Sequence, residues 1–184
     1  MQTEIVLSGF GGQGILFAGQ LLAYSALDKD KHVTWFPSYG PEMRGGTAHC
    51  TVIISDESIG APVVKYPQGV IVMNLPSLER YEPFVIEGGV LVINSSLVDR
   101  SANRDDIIVL EVPANEIAEE IGNLRLANLV MVGALIQKLP VLDLNTLVGA
   151  LENHIPGRHR ELIEVNKQAL EKGFRLAESQ KVMA

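Results

Sequence analysis

Four glycines open this chain within the stretch "EIVLSGFGGQGILFAGQLLA". Gly9, Gly11 and Gly14 fit G-x-G-x-x-G, and Gly12 adds a fourth. A short apolar run precedes them and a helical pattern follows, which is the setting in which such a loop holds an anion. Glycines permit the tight turn and let a ligand approach the backbone. The helix N-terminus then offers free N–H groups and a partial positive charge. Phe10 and Gln13 lie in the same loop. A dinucleotide site has one more part, an Asp or Glu roughly 20 residues further on that holds the ribose 2′-hydroxyl. Here that region reads "VTWFPSYG" and carries no acid, and Glu42 lies farther on in a stretch rich in Pro and Gly. The anion-binding half is present and the ribose-binding half is missing. Three readings stay open: a phosphate-bearing ligand, a partner's loop docking there, or glycines that only pack the helix on the sheet.

A second segment, "PSYGPEMRGGTAHC" at 37–50, is stiffened by two prolines and freed by Gly45 and Gly46 just after Arg44. An arginine so placed suits a phosphate or carboxylate by bidentate contact. An internal ion pair with Glu42 or another acid is the alternative. His49 is expected to be a half-buried strand residue. Cys50 reads as a core thiol, since no cation lies beside it to activate it.

The elements that position these groups follow from apolar patterning. Residues 4–8, 32–37, 47–55, 69–73, 89–93 and 107–112 read as strands, several with the continuous apolar runs of strands buried on both faces. Residues 14–30 read as a helix with Ile15, Ala18, Leu22 and Ala26 on one side. Helices are also predicted over 113–122, 124–138, 143–154 and 158–177, and residues 38–46 read as a loop. In the last helix Leu162, Val165, Ala169 and Leu176 share an apolar stripe, and Glu171 can pair with Arg175. Strands that alternate with helices imply an α/β domain with a mostly parallel sheet, and ligands of such sheets bind at the carboxyl ends of the strands. Those ends carry the glycine loop, then Ser38 and Tyr39, then Asn74 and Ser77, then Asn94 and Ser95. They make a neutral, hydrogen-bonding rim without an evident acid–base pair.

Composition narrows the function. The chain has 184 residues, 47% hydrophobic but only 5% aromatic, so Val, Ile, Leu and Ala must fill the core. The net charge of -7 gives nucleic acid no basic surface to meet. No window holds 18 consecutive apolar residues and no basic leader opens the chain, so a cytoplasmic protein without a membrane span is expected. Cys50 is the only cysteine, so the chain cannot hold an iron–sulfur cluster on four of its own thiolates. His32, His49, His154 and His159 do not pair at a spacing typical of zinc sites, so no metal site is expected. The segment 124–136, "LRLANLVMVGALI", is apolar on nearly every face. Such a helix is buried in a core or in a subunit contact, so the chain is expected to self-associate without partners.

"GFGGQGI", "PSYGPEMRGGTAHC", "IVMNLPSLERYE" and "GGVLVINSSLV" occur together in this order. The combination resembles the gamma subunit of 2-oxoacid:ferredoxin oxidoreductases, and the "PEMRGG" form is similar to the 2-oxoglutarate and branched-chain members. The resemblance covers about the first hundred residues. It implies a Rossmann-like α/β fold in a single gamma-type domain, with a core over 1–139 and a helical extension over 140–184. It implies a reaction in which a 2-oxoacid is decarboxylated on thiamine diphosphate, electrons pass through iron–sulfur clusters to ferredoxin, and the acyl group goes to coenzyme A. Thiamine diphosphate, magnesium and clusters would belong to alpha, beta and delta (ferredoxin-like) partner subunits, and the isolated chain would be inactive. Coenzyme A carries phosphates and makes no fixed demand for an acid on its ribose, so Gly9 to Gly14 could accept its diphosphate. A scaffold subunit that binds no ligand, and a self-sufficient NAD-dependent dehydrogenase, are the alternatives.

Overall fold

The computed structural model describes residues 1–39 and 46–180. The strands are β1 (Gln2–Phe10), β2 (His32–Tyr39), β3 (Thr47–Ser55), β4 (Gly69–Val72), β5 (Val90–Asn94) and β6 (Ile108–Val112). The helices are α1 (Ile15–Leu27), α2 (Leu75–Tyr81), α3 (Ala114–Ile121), α4 (Ala127–Lys138), α5 (Leu144–His154) and α6 (Ile163–Ser179). All six strands join one sheet in the order β2-β3-β1-β4-β5-β6. β1, β4, β5 and β6 pair in parallel, while β3 runs antiparallel between β1 and β2. The two reversals cancel, so β2 points the same way as β1. Its carboxyl end therefore lies on the same edge as those of the four parallel strands.

Alternation along the strands sorts the core into two layers. Ile5 and Leu7 of β1, with Cys50, Val52 and Ile54 of β3, face a thick layer built by α1 and α4 and backed by α3, α5 and α6. Val6, Val70, Val72, Leu91 and Ile93 face the other side, where Leu78 of α2 and Val85, Val98 and Ile107 from the connections cover them. Leu147, Ala150 and Leu151 of α5 and Ala169, Leu170 and Ala177 of α6 belong to the first layer's cluster. The C-terminal helices thus share the core of the sheet.

Several predicted elements shift. The helix read over 124–138 is a 3-10 turn at Leu124–Leu126 followed by α4, and that over 158–177 is a 3-10 turn at Gly157–Leu162 followed by α6. Helix α2 has no counterpart in the sequence reading. Asn74 starts it by accepting a hydrogen bond from the Ser77 N–H at 2.9 Å, a standard N-cap. Ser38 and Tyr39 lie in β2 rather than in a loop, while Gly40 to Gly45, with Arg44, lie outside the described residues. The buried side of α6 is Asn166, Ala169, Leu170, Gly173 and Ala177, whereas Leu162 is exposed. Glu171 and Arg175 do pair, at 3.9 Å.

Helix α4 explains that rotation. Every residue from Ala127 to Ile136 is buried inside the chain. Its apolar surface is covered by the sheet and by neighbouring helices, so it gives no ground for the expected self-association. The contact with α6 is backbone against backbone. A Cβ on Gly133 would collide with the Leu170 carbonyl, and one on Gly173 with the Val130 carbonyl. Gly173→Ala is therefore expected to cost about 1–3 kcal/mol through forced separation of the helices. An unchanged melting temperature by circular dichroism would contradict this packing.

The far end of α1 is tied to α5. Asp28 Oδ1 meets His154 Nε2 at 2.8 Å, Asn153 Nδ2 donates to Asp28 Oδ2 at 3.2 Å, and the His154 ring stacks on Tyr24 with centroids 4.4 Å apart. The His154 hydrogen bond, ahead of Asn153, holds the Asp28 carboxyl below its usual value. A depressed carboxylate stabilises the fold at pH above its unfolded value, about 3.9, and that contribution is lost as pH falls through the lower folded value. Asp28→Asn should thus lower stability near neutral pH and flatten the acid limb of the stability curve below about pH 4. Parallel acid limbs for the two proteins, from urea melts, would refute the link.

Candidate functional site

The carboxyl edge of the sheet begins with the loop after β1. The Gly11 N–H donates to the Gly46 carbonyl at 2.9 Å, which fixes the loop against the start of β3. The Gln13 side chain folds back over it. Its Oε1 accepts the Phe10 N–H at 2.6 Å and its Nε2 reaches the Met73 carbonyl at 3.4 Å. Gly12 and Gly14 take left-handed backbone, with φ of 99° and 74°, which glycine adopts without strain. The two differ in surroundings. A Cβ on Gly12 would meet open space, whereas one on Gly14 would collide with the Asn128 carboxamide. Gly9 is buried, and a Cβ there would lie 2.5 Å from Gln13 Oε1 and 2.9 Å from Met73 Cβ. Gly14 occupies the N-cap of α1 and no side chain caps that helix, so its first N–H groups remain open to a ligand.

The polar residues of the rim are largely engaged within the protein. Asn74 caps α2, and Ser77 Oγ lies 2.8 Å from Ser8 Oγ of β1, both serines buried. Asn94 is fully buried. Its Nδ2 donates to Asn115 Oδ1 at 3.0 Å and its Oδ1 accepts the Ser96 N–H at 3.3 Å. Ser95 is exposed, and its N–H is spent on the Val112 carbonyl at 2.9 Å. Ser38 is half-buried and pairs in register with His49 across the β2–β3 ladder. Asn74, Ser77 and Asn94 thus shape the edge from beneath, while Phe10, Gly12 and Ser95 stand on its surface.

Two recesses flank Gly12. One, of about 440 Å3, runs from Gly12, Gly14 and Phe17 past Arg125 to Asn166. The other, of about 200 Å3, lies over Gln13, Met73, Asn115 and Arg125. Arg125 lines both and was not singled out from the sequence. It sits in the 3-10 turn before α4, which Asn123 caps by accepting the Arg125 N–H at 3.1 Å. Asn128 Nδ2 donates to the Gly14 carbonyl at 2.7 Å, which brings that turn against the glycine loop. The only hint in sequence is a polar pair, Arg125 and Asn128, inside an otherwise apolar stretch. A wider cleft of about 550 Å3, lined by Lys29, Lys31 and Leu142, lies at the opposite edge, where the parallel strands begin.

Behind the loop the chemistry is quiet. Cys50 is fully buried under α1, with its Sγ 3.5 Å from the Ile15 carbonyl. Burial pushes its thiol up to about 12, against a weaker opposing pull from the Trp35 indole. That indole Nε1 has no hydrogen-bond partner among the described residues. Desolvation of the thiol decides the direction. Burial, and then the charge of Arg80, hold the His49 imidazole below its usual value, and its ring lies 5.9 Å from that of Tyr81. Among the described residues no group of three His, Cys, Asp or Glu side chains could hold a metal ion, and no helix is long and apolar enough to cross a membrane.

An α/β domain with an uncapped helix after a glycine loop at the carboxyl edge of its sheet is a widespread architecture. Comparison with known proteins narrows it. The family described as pyruvate ferredoxin/flavodoxin oxidoreductase matches residues 4–176, and the chain belongs to that family. A 2-oxoglutarate synthase subunit KorC from Methanocaldococcus jannaschii is 36% identical over 180 residues, 96% of this chain and 95% of that protein. A ketoisovalerate oxidoreductase subunit VorA from Methanothermobacter marburgensis is 36% identical over 173 residues, 94% of this chain. The chain spans 36% of that longer VorA protein. The crystal structure of a keto/oxoacid ferredoxin oxidoreductase gamma subunit from Geobacter sulfurreducens superposes with a TM-score of 0.82 at 28% identity, covering 97% of this chain and 99% of that one.

The burial of Cys50 makes a direct prediction. A thiol near 12 stays protonated at pH 8, and the thiolate is the reactive form. The folded chain should resist a disulfide-exchange reagent at that pH and react with one equivalent once unfolded. Fast, stoichiometric labelling of the native chain would show the sulfur to be accessible.

Proposed function

We propose that this chain is the non-redox gamma subunit of a thiamine- and iron–sulfur-dependent 2-oxoacid:ferredoxin oxidoreductase, with 2-oxoglutarate as the favoured substrate. The observation that carries the reading is the end-to-end match to a 2-oxoglutarate synthase subunit of the same length class. The "PEMRGG" segment resembles that of the 2-oxoglutarate and branched-chain members alike. In this reading the complex works in the cytoplasm and turns a 2-oxoacid and coenzyme A into acyl-CoA, carbon dioxide and reduced ferredoxin. Alpha, beta and delta subunits carry thiamine diphosphate, magnesium and the clusters, which fits a chain with one sealed cysteine. The whole of 1–184 acts as one gamma-type unit, since α5 and α6 complete the core under α1 and α4.

This chain's own part is to hold the phosphate end of coenzyme A. The open N–H groups at the start of α1 would receive the diphosphate beside Gly11 and Gly12, with the Ser38–Tyr39 strand end on the same edge, and Arg44, outside the described residues, remains the cation that the sequence offers for a phosphate. Gln13 keeps the loop in shape for that approach. Asn74, Ser77, Asn94 and Ser95 support the edge. A scaffold role has one observation in its favour, that Gly14 is already explained by its contact with Asn128.

The test has two arms. The pure chain should show no 2-oxoacid-dependent dye reduction, with or without thiamine diphosphate, and should copurify with larger partner chains from its source. In the assembled enzyme Gly11→Ala should raise the KM for coenzyme A, with the 2-oxoacid KM nearly constant. Loss of one hydrogen bond to a charged group is worth about 1.5–3 kcal/mol, roughly tenfold to hundredfold. An unchanged coenzyme A KM with assembly intact would leave the scaffold reading.

A further inference from the structure

One face of the sheet is covered by helices from edge to edge, and the other is not. Strand β2 is held by β3 along one edge and by α1 on one face. Val33 and Trp35 pack into that α1 layer. The alternate residues His32, Thr34, Phe36 and Ser38 stand on the second face, and each is exposed or half-buried. Helix α2, on that second face, packs on β1 and β4. It reaches β3 where the Tyr81 ring comes within 5.9 Å of His49.

The register makes these side chains one surface. Phe36 lies opposite Thr51, and Ser38 opposite His49. From His49 the surface passes to Tyr81 and then to Arg80, whose guanidinium sits 5.2 Å from the Tyr81 ring centroid. Phe36 is 55% exposed in mid-strand, whereas the solvated face of an antiparallel pair is ordinarily polar. The chain holds 22 acids against 15 lysines and arginines, yet none of the ion pairs among the described residues includes Arg80. Phe, Tyr and Arg are the residue types enriched where proteins meet.

We propose that Phe36, His49, Tyr81 and Arg80 form the docking surface for a helix of a partner subunit. That helix lies across β2 and β3 as α1 does on the opposite face, and gives this half of the sheet its third layer. Its apolar side covers Phe36, and a carboxylate at one end meets Arg80. Pro37 has no N–H and stands on the edge strand, a placement that discourages strand addition. The partner therefore lies on the face and not along the edge. The inference rests on the reading of this chain as one subunit of a larger enzyme, and it adds where a neighbour sits and what that neighbour carries.

The test uses the complex of this chain with the subunits that copurify with it, and light scattering follows its dissociation on dilution. Phe36→Ala and Arg80→Ala should each raise the midpoint concentration by about tenfold. Arg80→Glu should raise it further, because like charges then meet. Added salt should narrow the gap between Arg80→Ala and the parent, and leave the Phe36→Ala gap unchanged. Leu27→Ala, at an exposed position at the far end of α1, should leave the midpoint where it is. Melting temperatures of the free chains check that each variant folds. Hydrogen exchange should slow on assembly in peptides spanning 32–39, 47–51 and 79–81. A midpoint unchanged in both Phe36→Ala and Arg80→Ala would overturn the surface and leave the subunit reading standing. If β2 amides are nonetheless protected in that case, the partner adds a strand at the edge. A pure chain that dimerises, and loses the dimer in Phe36→Ala, would make the occupant a second copy and overturn the partner helix. A parent chain that binds no larger subunit would end the subunit reading and this inference with it.

Discussion

The hydrogen bond from Asn128 to the Gly14 carbonyl, at 2.7 Å, is the contact on which the carboxyl edge depends. It joins the starts of two helices that are far apart in sequence. It exists only because residue 14 has no Cβ and can hold a φ of 74°. Asn128 belongs to a helix that is buried along ten consecutive residues, so the glycine loop is anchored directly to the core. The G-x-G-x-x-G pattern thus serves two separate needs. Gly14 answers a packing demand from α4, and Gly12 keeps the approach to α1 open. A motif read as one device is physically two.

That division explains what was legible in the sequence. The strands and α1 were legible because continuous apolar runs and a 3.6-residue stripe each have few structural solutions. Helix α2 was not, because "LPSLERY" offers only Leu75 and Leu78 as apolar anchors. Its existence depends on the Asn74 cap and on the sheet face that Leu78 covers, which are tertiary facts. The stripe on α6 was displaced because hydropathy does not rank glycine. The face that packs is the one where Gly173 lets the α4 backbone approach, and larger Leu162 and Leu176 lie off it.

The candidate site shows the same pattern. The glycine loop and the strand ends were legible as positions on one edge, and the cancelled reversals at β3 bring Ser38 there too. Their states were not legible. Asn and Ser at strand ends are equally suited to caps and to ligands, and here Asn74 Oδ1 caps α2, Ser77 Oγ meets Ser8 Oγ, and Asn94 Nδ2 bonds Asn115. Arg125 escaped notice because only the packing of α4 on Gly14 brings it to the loop.

Charge sets how such an edge can work. The chain carries a net -7, so its distant field opposes an anionic ligand. Screening confines that opposition to about 8 Å at physiological ionic strength. Within that range lie the uncapped start of α1 and the exposed Arg125 beside Gly12. Under the proposed function, recognition of a phosphate therefore rests on local geometry at the loop rather than on steering by the whole protein. The groups behind it reinforce this: Cys50 is held as a neutral thiol and His49 is biased toward neutral imidazole. Both shifts favour the uncharged form near neutral pH. Under the proposed function, such an edge serves to hold a charged ligand while bond-making is left to groups brought by other chains.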